Sequence, residues 1–402
     1  MENGGSYPIY ALWPNWQLAG RVVMTKSFDP FNLFGRAVAY ASSGDGLNRR
    51  TIKLIGSNYS ARYFISRFLG VEGVLRPVGK TSLLAIMTTY GRLARDADLL
   101  VARLSPHMSR LMAGGDVLRI PERVTFSMQL PSSETTLKKI RHSQSSNLRI
   151  IKKNNFSYKI TNKKEDIENF YYNMYKPFVE NRFGDNVRLL SFEQSLQIFR
   201  RGALMWALQD GRIVAGNLIA AEGQTARSVV FGTVDGRREP VAAGALSALY
   251  YFSIKWACEE GFTQLDLGGS RPSLSNGALR TKHRWGAELV RRNAHHDLIV
   301  HWRQWSDHIG EFLSCTPLIF RDEADLSGIV AMTPLSDQTL KGVYEQARKN
   351  WVPGLKRLIV ITDLAKSLEC GSQYSGLDIP VWITPPSGPR NCVQAARPMV
   401  RP

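Results

Sequence analysis

The sequence predicts an α/β protein built on a mixed sheet, and three observations carry that expectation. Three apolar segments, Leu204–Gln209, Arg212–Ala221 and Ser228–Val234, follow one another. The first two are joined by Asp210-Gly211, and the third is closed by a second Asp-Gly at 235–236. Such pairs mark tight turns between strands. Pro240 then suits the first turn of a helix that runs to about Glu260 and stops at Gly261. A fourth strand, Phe262–Leu267, ends in Gly268-Gly269. A helical crossover places such a strand parallel to the third.

The elements before this core read in order. Residues 1–50 are expected to be an irregular lead-in, rich in Gly, Pro, Asn and Ser, with Trp13, Trp16, Phe31 and Phe34 as aromatic anchors. An N-terminal α/β part is expected over 51–135. Tyr59–Leu69 has helical apolar spacing, and Leu83–Met87 and Leu99–Leu104 read as short strands. A basic helix is expected over roughly 134–152, then a strand at Asn155–Ile160. Ile167, Phe170, Tyr171, Met174 and Phe178 fall on one helical face, with Glu165 and Asp166 suiting its N-terminus. Pro177 should kink or end that helix. Ser191 and Gln194 have the spacing of a capping box.

The core is assigned to 136–315, and 316–402 to a C-terminal α/β extension with a loose tail. Within that extension Ser327–Met332 and Leu358–Thr362 read as strands and Leu340–Trp351 as a helix. The last ~25 residues, with Pro385, Pro386 and Pro389 among them, read as loose.

Composition bounds the function. The 402 residues are 44% hydrophobic and 21% charged, which supports packed cores and excludes wholesale disorder. The formal net charge of +18 attracts polyanions: nucleic acid, phosphorylated substrates or an anionic membrane surface. Half of it lies in one window: Lys138, Lys139, Arg141, Arg149, Lys152, Lys153, Lys159, Lys163 and Lys164, with no acid between them. Cys258, Cys315, Cys370 and Cys392 stand far apart with no CxxC pair, so neither a zinc ribbon nor a disulfide scaffold is expected. No leader peptide and no spanning segment is read, so the expected location is cytoplasmic, with membrane contact only peripheral.

Several tempting motifs fail. Gly79-Lys-Thr81 lacks the rest of a P-loop, with Val74 where a glycine is needed. His295, Asp297 and His301 share a strand face but read as polar strand residues rather than a metal site. Asp166, Glu168 and Glu180 lie on a helix and do not form a paired acid site.

The stretch Gly261-Phe-Thr-Gln-Leu-Asp-Leu-Gly-Gly-Ser-Arg-Pro-Ser-Leu-Ser-Asn-Gly277, followed by Lys282-His-Arg-Trp-Gly286, resembles the GNAT-superfamily acyltransferases of the FemAB-like and CelD-like group. The resemblance covers roughly 134–290. It implies a GNAT-like core whose two central strands splay apart, with a degenerate second copy of the fold as the N-terminal half. It implies N-acyl transfer from a thioester, acyl-CoA or acyl carrier protein, to a small or sugar-linked amine. No cofactor is bound; the donor is a co-substrate. The acceptor would belong to polysaccharide or cell-envelope synthesis.

The same resemblance suggests roles. Asp266 would orient or deprotonate the amine, although a carboxylate there also suits a cap on turn N–H groups. Tyr250 would protonate the leaving thiolate, although it also suits a core position. Donor phosphates would meet Arg237, Arg238, Gly244 and Ala245, where the helix dipole favours anions. The usual Q/R-x-x-G-x-G/A loop is not matched, because Val241 and Leu246 replace its Arg/Gln and last small residue. That departure leaves a carrier protein or an aminoacyl-tRNA open as donor. Arg271, Lys282 and Arg284 would hold an anionic acceptor. One alternative is an aminoacyl-tRNA-dependent peptidyltransferase acting on a cell-wall precursor. Another is a non-catalytic basic nucleic-acid-binding protein.

Overall fold

The computed structural model describes residues 36–43, 49–56, 58–70, 76–112, 116–130, 133–183, 189–291, 296–333, 339–366, 379–394 and 396–398. They form two compact units. Ser127–Gly268 and Arg284–Ala287 belong to the first, and the other described residues to the second.

The first unit opens with two basic helices, α1 (Ser133–Ser143) and α2 (Ser145–Lys153), and strand β1 (Phe156–Thr161). Helix α3 (Lys164–Phe170) runs through one π-helical turn, Tyr171–Tyr175, into α4 (Lys176–Phe183). Pro177 closely follows the π-helical turn, and the helix runs on past it to Phe183 instead of ending there. Helix α5 (Phe192–Phe199) starts with the expected capping box, Ser191 and Gln194 satisfying each other's backbone N–H groups.

Strands β2 (Gly202–Gln209), β3 (Arg212–Glu222) and β4 (Thr225–Thr233) form an antiparallel meander beside β1. Asp210 and Gly211 both adopt positive φ at its first turn. Short helix α6 (Glu239–Ala242) and long helix α7 (Ala245–Glu259) then lead to β5 (Gln264–Ser270), which runs parallel to β4. The helix expected from Pro240 onward is thus broken at Gly244, whose φ of 102° is left-handed.

The sheet buries both faces. Leu204, Trp206 and Leu218 pack with Ile167, Phe170, Met174 and Phe199. Phe170 meets Trp206 edge-on at 6.0 Å. The alternate residues of β2, Ala203, Met205 and Ala207, are equally buried. Helix α7 buries Ala248, Leu249, Phe252 and Ile254.

The second unit holds two sheets. In the first, Arg76–Thr81, Arg36–Ser43, Arg50–Ile55, Leu99–Leu104, Asp297–His301 and Leu118–Pro121 are neighbours in that order. Residues 1–35, with the four aromatic anchors, lie outside the described residues. Arg36–Ser43, expected to be irregular, is a strand because Arg50–Ile55 supplies an antiparallel partner from Val38↔Ile55 to Ser43↔Arg50. Leu83–Met87, expected as a strand, opens a helix, Leu83–Leu93. The Ser82 hydroxyl caps it by accepting from Ala85 N, and Leu83 and Ile86 turn to the core. A five-residue apolar run does not distinguish the two periods.

The second sheet runs Leu318–Asp322, Asp325–Ala331, Leu358–Ile361, Val381–Thr384, Arg397–Pro398. The tail expected to be loose is therefore structured where described. Val381–Thr384 pairs parallel with Leu358–Ile361, and Trp302 Nε1 donates to Ser387 O at 2.9 Å. Its prolines fall outside those rungs, at the connection and at the first residue of helix Pro389–Gln394. Phe64, Phe68, Trp302, Phe312 and Phe320 share the core of this unit.

Gly232 of β4 is required by close approach. A Cβ there would lie 2.6 Å from Tyr175 N in the π turn. Gly232→Ala is expected to lower unfolding free energy by about 1–3 kcal/mol. Gly277→Ala, where no atom lies within 4 Å of the added carbon, should stay within about 0.5 kcal/mol. Denaturant titration of both variants checks this; equal midpoints would remove the packing argument.

Candidate active site

The distinctive feature of the first unit is the point where β4 and β5 part. Their ladder has three rungs, Thr225↔Gln264, Ala226↔Leu265 and Arg227↔Asp266. Beyond the third rung β4 continues to Thr233 and β5 to Ser270, with no further pairing. On its other edge β4 stays paired with β3 to the end, through a bulge between Ser228 and Val230. A bulge increases local twist and bends its strand. Here it falls one residue past the last shared rung. The β5-facing edge of Ser228–Thr233 thus has no strand partner among the described residues.

Charge holds the fork. Asp266 is buried, and its two oxygens have different partners. Oδ2 accepts from Arg227 Nε at 3.0 Å, and Oδ1 accepts from Gly268 N at 2.6 Å. Arg227 Nη2 also donates to Glu222 Oε2 at 2.7 Å, so one guanidinium joins β3, β4 and β5. Gly268 has a φ of 77°, which turns its N–H back onto the carboxylate. The strand expected to end at Leu267 runs on through both glycines to Ser270, and the carboxylate holds the Gly268 bend inside it and pins the last rung.

Aromatic side chains surround the fork. Phe231 lies on the unpaired stretch of β4, Tyr250 on α7 and Trp285 on Arg284–Ala287. The Tyr250 ring stacks on Trp285 at 6.1 Å and meets Phe231 edge-on at 5.3 Å. Burial pushes the Tyr250 phenol well above its ordinary range, with the positive charge of Arg182 opposing. The hydroxyl is therefore protonated throughout the neutral range.

The donor-side residues follow β4. Asp235 and Gly236 adopt positive φ in the turn after it, and Arg237 pairs with Asp235 at 3.0 Å on the surface. Arg238 is the N-cap of α6, and Gly244 the N-cap of α7, with no side-chain cap at either. Ala245 is fully buried. Helix α2 lies against this turn: Asn154 Nδ2 donates to Ala243 O at 2.7 Å, and a Cβ on Gly244 would come 2.8 Å from Ile150 Cγ2.

The acceptor-side residues divide between the units. Arg284 is exposed in the first, and its carbonyl accepts from Gln144 Nε2. Arg271 and Lys282 belong to the second. The Arg271 guanidinium lies 4.5 Å from the Tyr63 ring centroid, in a small recess with Glu122 and Arg123. Lys282 is buried and donates to Gly269 O at 3.0 Å. No cluster of metal-ligating side chains occurs among the described residues. His295 is not among them. His301 Nδ1 lies 2.6 Å from Asp116 O, and Asp297 is paired with arginines. All nine basic residues of the 138–164 window are exposed.

Sequence reasoning missed two features. One is Arg227, whose role appears only once β4 and β5 are paired. The other is a polar cluster under the sheet. Buried Asn217 donates to Ser228 Oγ at 3.1 Å and to Ser253 Oγ at 2.9 Å, tying β3 to β4 and α7. Its Oδ1 is buried with no partner among the described residues. An Asn inside an otherwise apolar strand is the signal that could have flagged it.

Solved structures similar to this chain include the following three. FemX is 13% identical, with 65% of this chain and 84% of that chain covered, at a TM-score of 0.35. L-PGS from Bacillus licheniformis is 10% identical, with 67% and 83% covered, at 0.34. A GCN5-related N-acetyltransferase from Sphaerobacter thermophilus is 15% identical, with 65% and 75% covered, at 0.31. No protein-family model and no curated protein sequence matches. No helix among the described residues is long and apolar enough to cross a membrane.

Removing the carboxylate at the fork is expected to be costly, because it leaves part of a largely buried guanidinium, 17% exposed, uncompensated. Asp266→Ala should lower stability by about 3–5 kcal/mol. The cycle of Asp266→Ala, Arg227→Ala and the double variant should show a coupling of about 1–3 kcal/mol in urea unfolding. Additivity within about 0.3 kcal/mol would show that the pair does not hold the rung.

Proposed function

We propose that the protein is an N-acyltransferase, moving an acyl group from a thioester, acyl-CoA or acyl carrier protein, to an amine on a small or sugar-linked acceptor. The observation that carries this reading is the end of the β4–β5 ladder at Arg227↔Asp266 while both strands continue. A strand edge without a partner offers N–H and C=O groups to an extended, amide-bearing chain, as in β-strand addition. A thioester arm along that edge would place its carbonyl near the fork.

The chemistry follows from the groups around it. The neutral amine nitrogen attacks the thioester carbonyl carbon, and the C=O becomes an oxyanion. The carbon–sulfur bond then breaks, the nitrogen loses a proton and the thiolate gains one. Tyr250, whose hydroxyl carries its proton at neutral pH as tyrosines ordinarily do, supplies a proton to sulfur. Asp266, held by Arg227 and Gly268 N, orients the amine or takes its proton directly or through water. Arg237, Arg238 and the α7 N-terminus at Gly244-Ala245 meet donor phosphates. Arg284, exposed in the same unit as the fork, attracts acceptor charge.

A second reading keeps the chemistry and replaces the thioester by an aminoacyl-tRNA ester. It is favoured by the nine exposed cations on α1, α2, β1 and the loop to α3, which suit a nucleic-acid backbone.

The deciding experiment is turnover. Purified protein with acyl-CoA or acyl carrier protein and a panel of amines should release free thiol. If neither thioester reacts and activity with aminoacyl-tRNA is ribonuclease-sensitive, the second reading replaces the first. Tyr250→Phe should lower kcat about 10²-fold or more with little change in KM. An unchanged kcat in Tyr250→Phe would remove Tyr250 from the mechanism.

A further inference from the structure

The second unit contains a cationic cavity that the transferase reading does not use. It encloses about 260 Å³ and, among the described residues, is lined by Arg110, Arg119, Arg291 and Arg321, with Pro106, Ala324 and a single acid, Glu323. Its arginines come from separate places. Arg110 ends helix Pro106–Leu111, Arg119 lies on strand Leu118–Pro121, Arg321 on strand Leu318–Asp322, and Arg291 in the segment after Glu288–Val290. The volume falls below the roughly 300–1,000 Å³ of pockets for drug-sized ligands, which suits a compact ligand.

Two of these arginines are built into the wall. The side chains of Arg119 and Arg321 are only 10% and 11% exposed. Both are buttressed by Asp297, itself fully buried, from Arg321 Nε at 2.8 Å and Arg119 Nη2 at 3.6 Å. Arg119 Nη2 also donates to Ser109 Oγ at 3.3 Å, and that hydroxyl donates to Asp297. Arg119 Nε remains buried with no partner among the described residues.

The charges do not balance. Four guanidinium groups face one buried carboxylate, because the exposed Glu323 is paired with Lys356 at 3.3 Å. Arg110 and Arg291 have no ion pair among the described residues. Burial lowers the Arg119 guanidinium from its ordinary value; Asp297 opposes this, and the positive charges of Arg321 and Arg110 add to it. Like charges gathered in a recess are stabilised by an anion that bridges them. Arginine forks match the oxygens of phosphate in a bidentate way.

We infer that this cavity binds a compact, multiply charged oxyanion, the phosphate or diphosphate group of a small molecule. Arg119 and Arg321 form its fixed floor, and Arg110 and Arg291 close on the ligand from the solvent side. The inference is independent of the transferase reading.

The test is calorimetric titration of the full chain with inorganic pyrophosphate at near-neutral pH and moderate salt. Saturable binding at one site is expected. The double variant Arg110→Ala with Arg291→Ala should bind at least about tenfold more weakly, with unchanged circular dichroism and melting temperature. Lys152→Ala with Lys153→Ala, which removes two exposed cations of the first unit, should bind as the parent does. No saturable binding, or an equal loss in the lysine variant, overturns the site in favour of the general positive field. Displacement of pyrophosphate by a nucleoside diphosphate or by glycerol 3-phosphate supports the site and identifies the source of the phosphate. Displacement by neither overturns it.

Discussion

The first unit depends on one ion pair, Arg227 with Asp266. It occupies the last rung that β4 and β5 share. A parallel ladder between two strands of this length would ordinarily run on, because unpaired backbone groups in a buried sheet are costly. Here the ladder stops where a bulge turns β4 and a positive-φ glycine turns β5. The carboxylate has to satisfy both strands at once, taking the guanidinium from one and the glycine N–H from the other. Without it the last shared rung would lose the side-chain contact that ties both strands where they part. The Glu222 contact extends the same constraint into β3.

The surroundings of the fork are organised around that opening. The π turn at Tyr171–Tyr175 brings backbone onto Gly232, so one face of the diverging β4 is sealed by close packing. Opposite, α7 lays Tyr250 beside Phe231 and Trp285. Burial among aromatic rings raises the Tyr250 phenol, so its proton is held more tightly than in water. The polar residues Asn217, Ser228 and Ser253 bind β3, β4 and α7 together beneath the sheet. The second unit handles charge differently. Asp297 gathers two arginines around itself and leaves an excess of positive charge facing a cavity.

Much of the secondary structure was legible in the chain, and the failures have local causes. The Asp-Gly turns and the capping box at Ser191 could be read because their signals lie within a few residues of one another, whereas the one basic helix expected over 134–152 is split at Gln144 into α1 and α2. Leu83–Met87 was misread because a short apolar run suits either period, and only the Ser82 cap and the burial of Ile86 decide for a helix. Arg36–Ser43 and Val381–Thr384 owe their strand conformation to partners elsewhere in the sequence. Asp266 stood out because it precedes a double glycine. Arg227 did not, since nothing near it in sequence marks it as the partner.

Local order along the chain thus specified the meander and the crossover helix. These features depend on turn chemistry and periodicity, which act over short distances. The three-dimensional packing decided where the ladder ends, which guanidinium holds it, and which arginines meet in the second unit. Arg110 and Arg321 are far apart in sequence and line one cavity because Asp297–His301 is inserted between Leu99–Leu104 and Leu118–Pro121. Such neighbours are set by strand pairing across long loops, where the favourable terms are burial and charge compensation rather than any preference of the residues concerned.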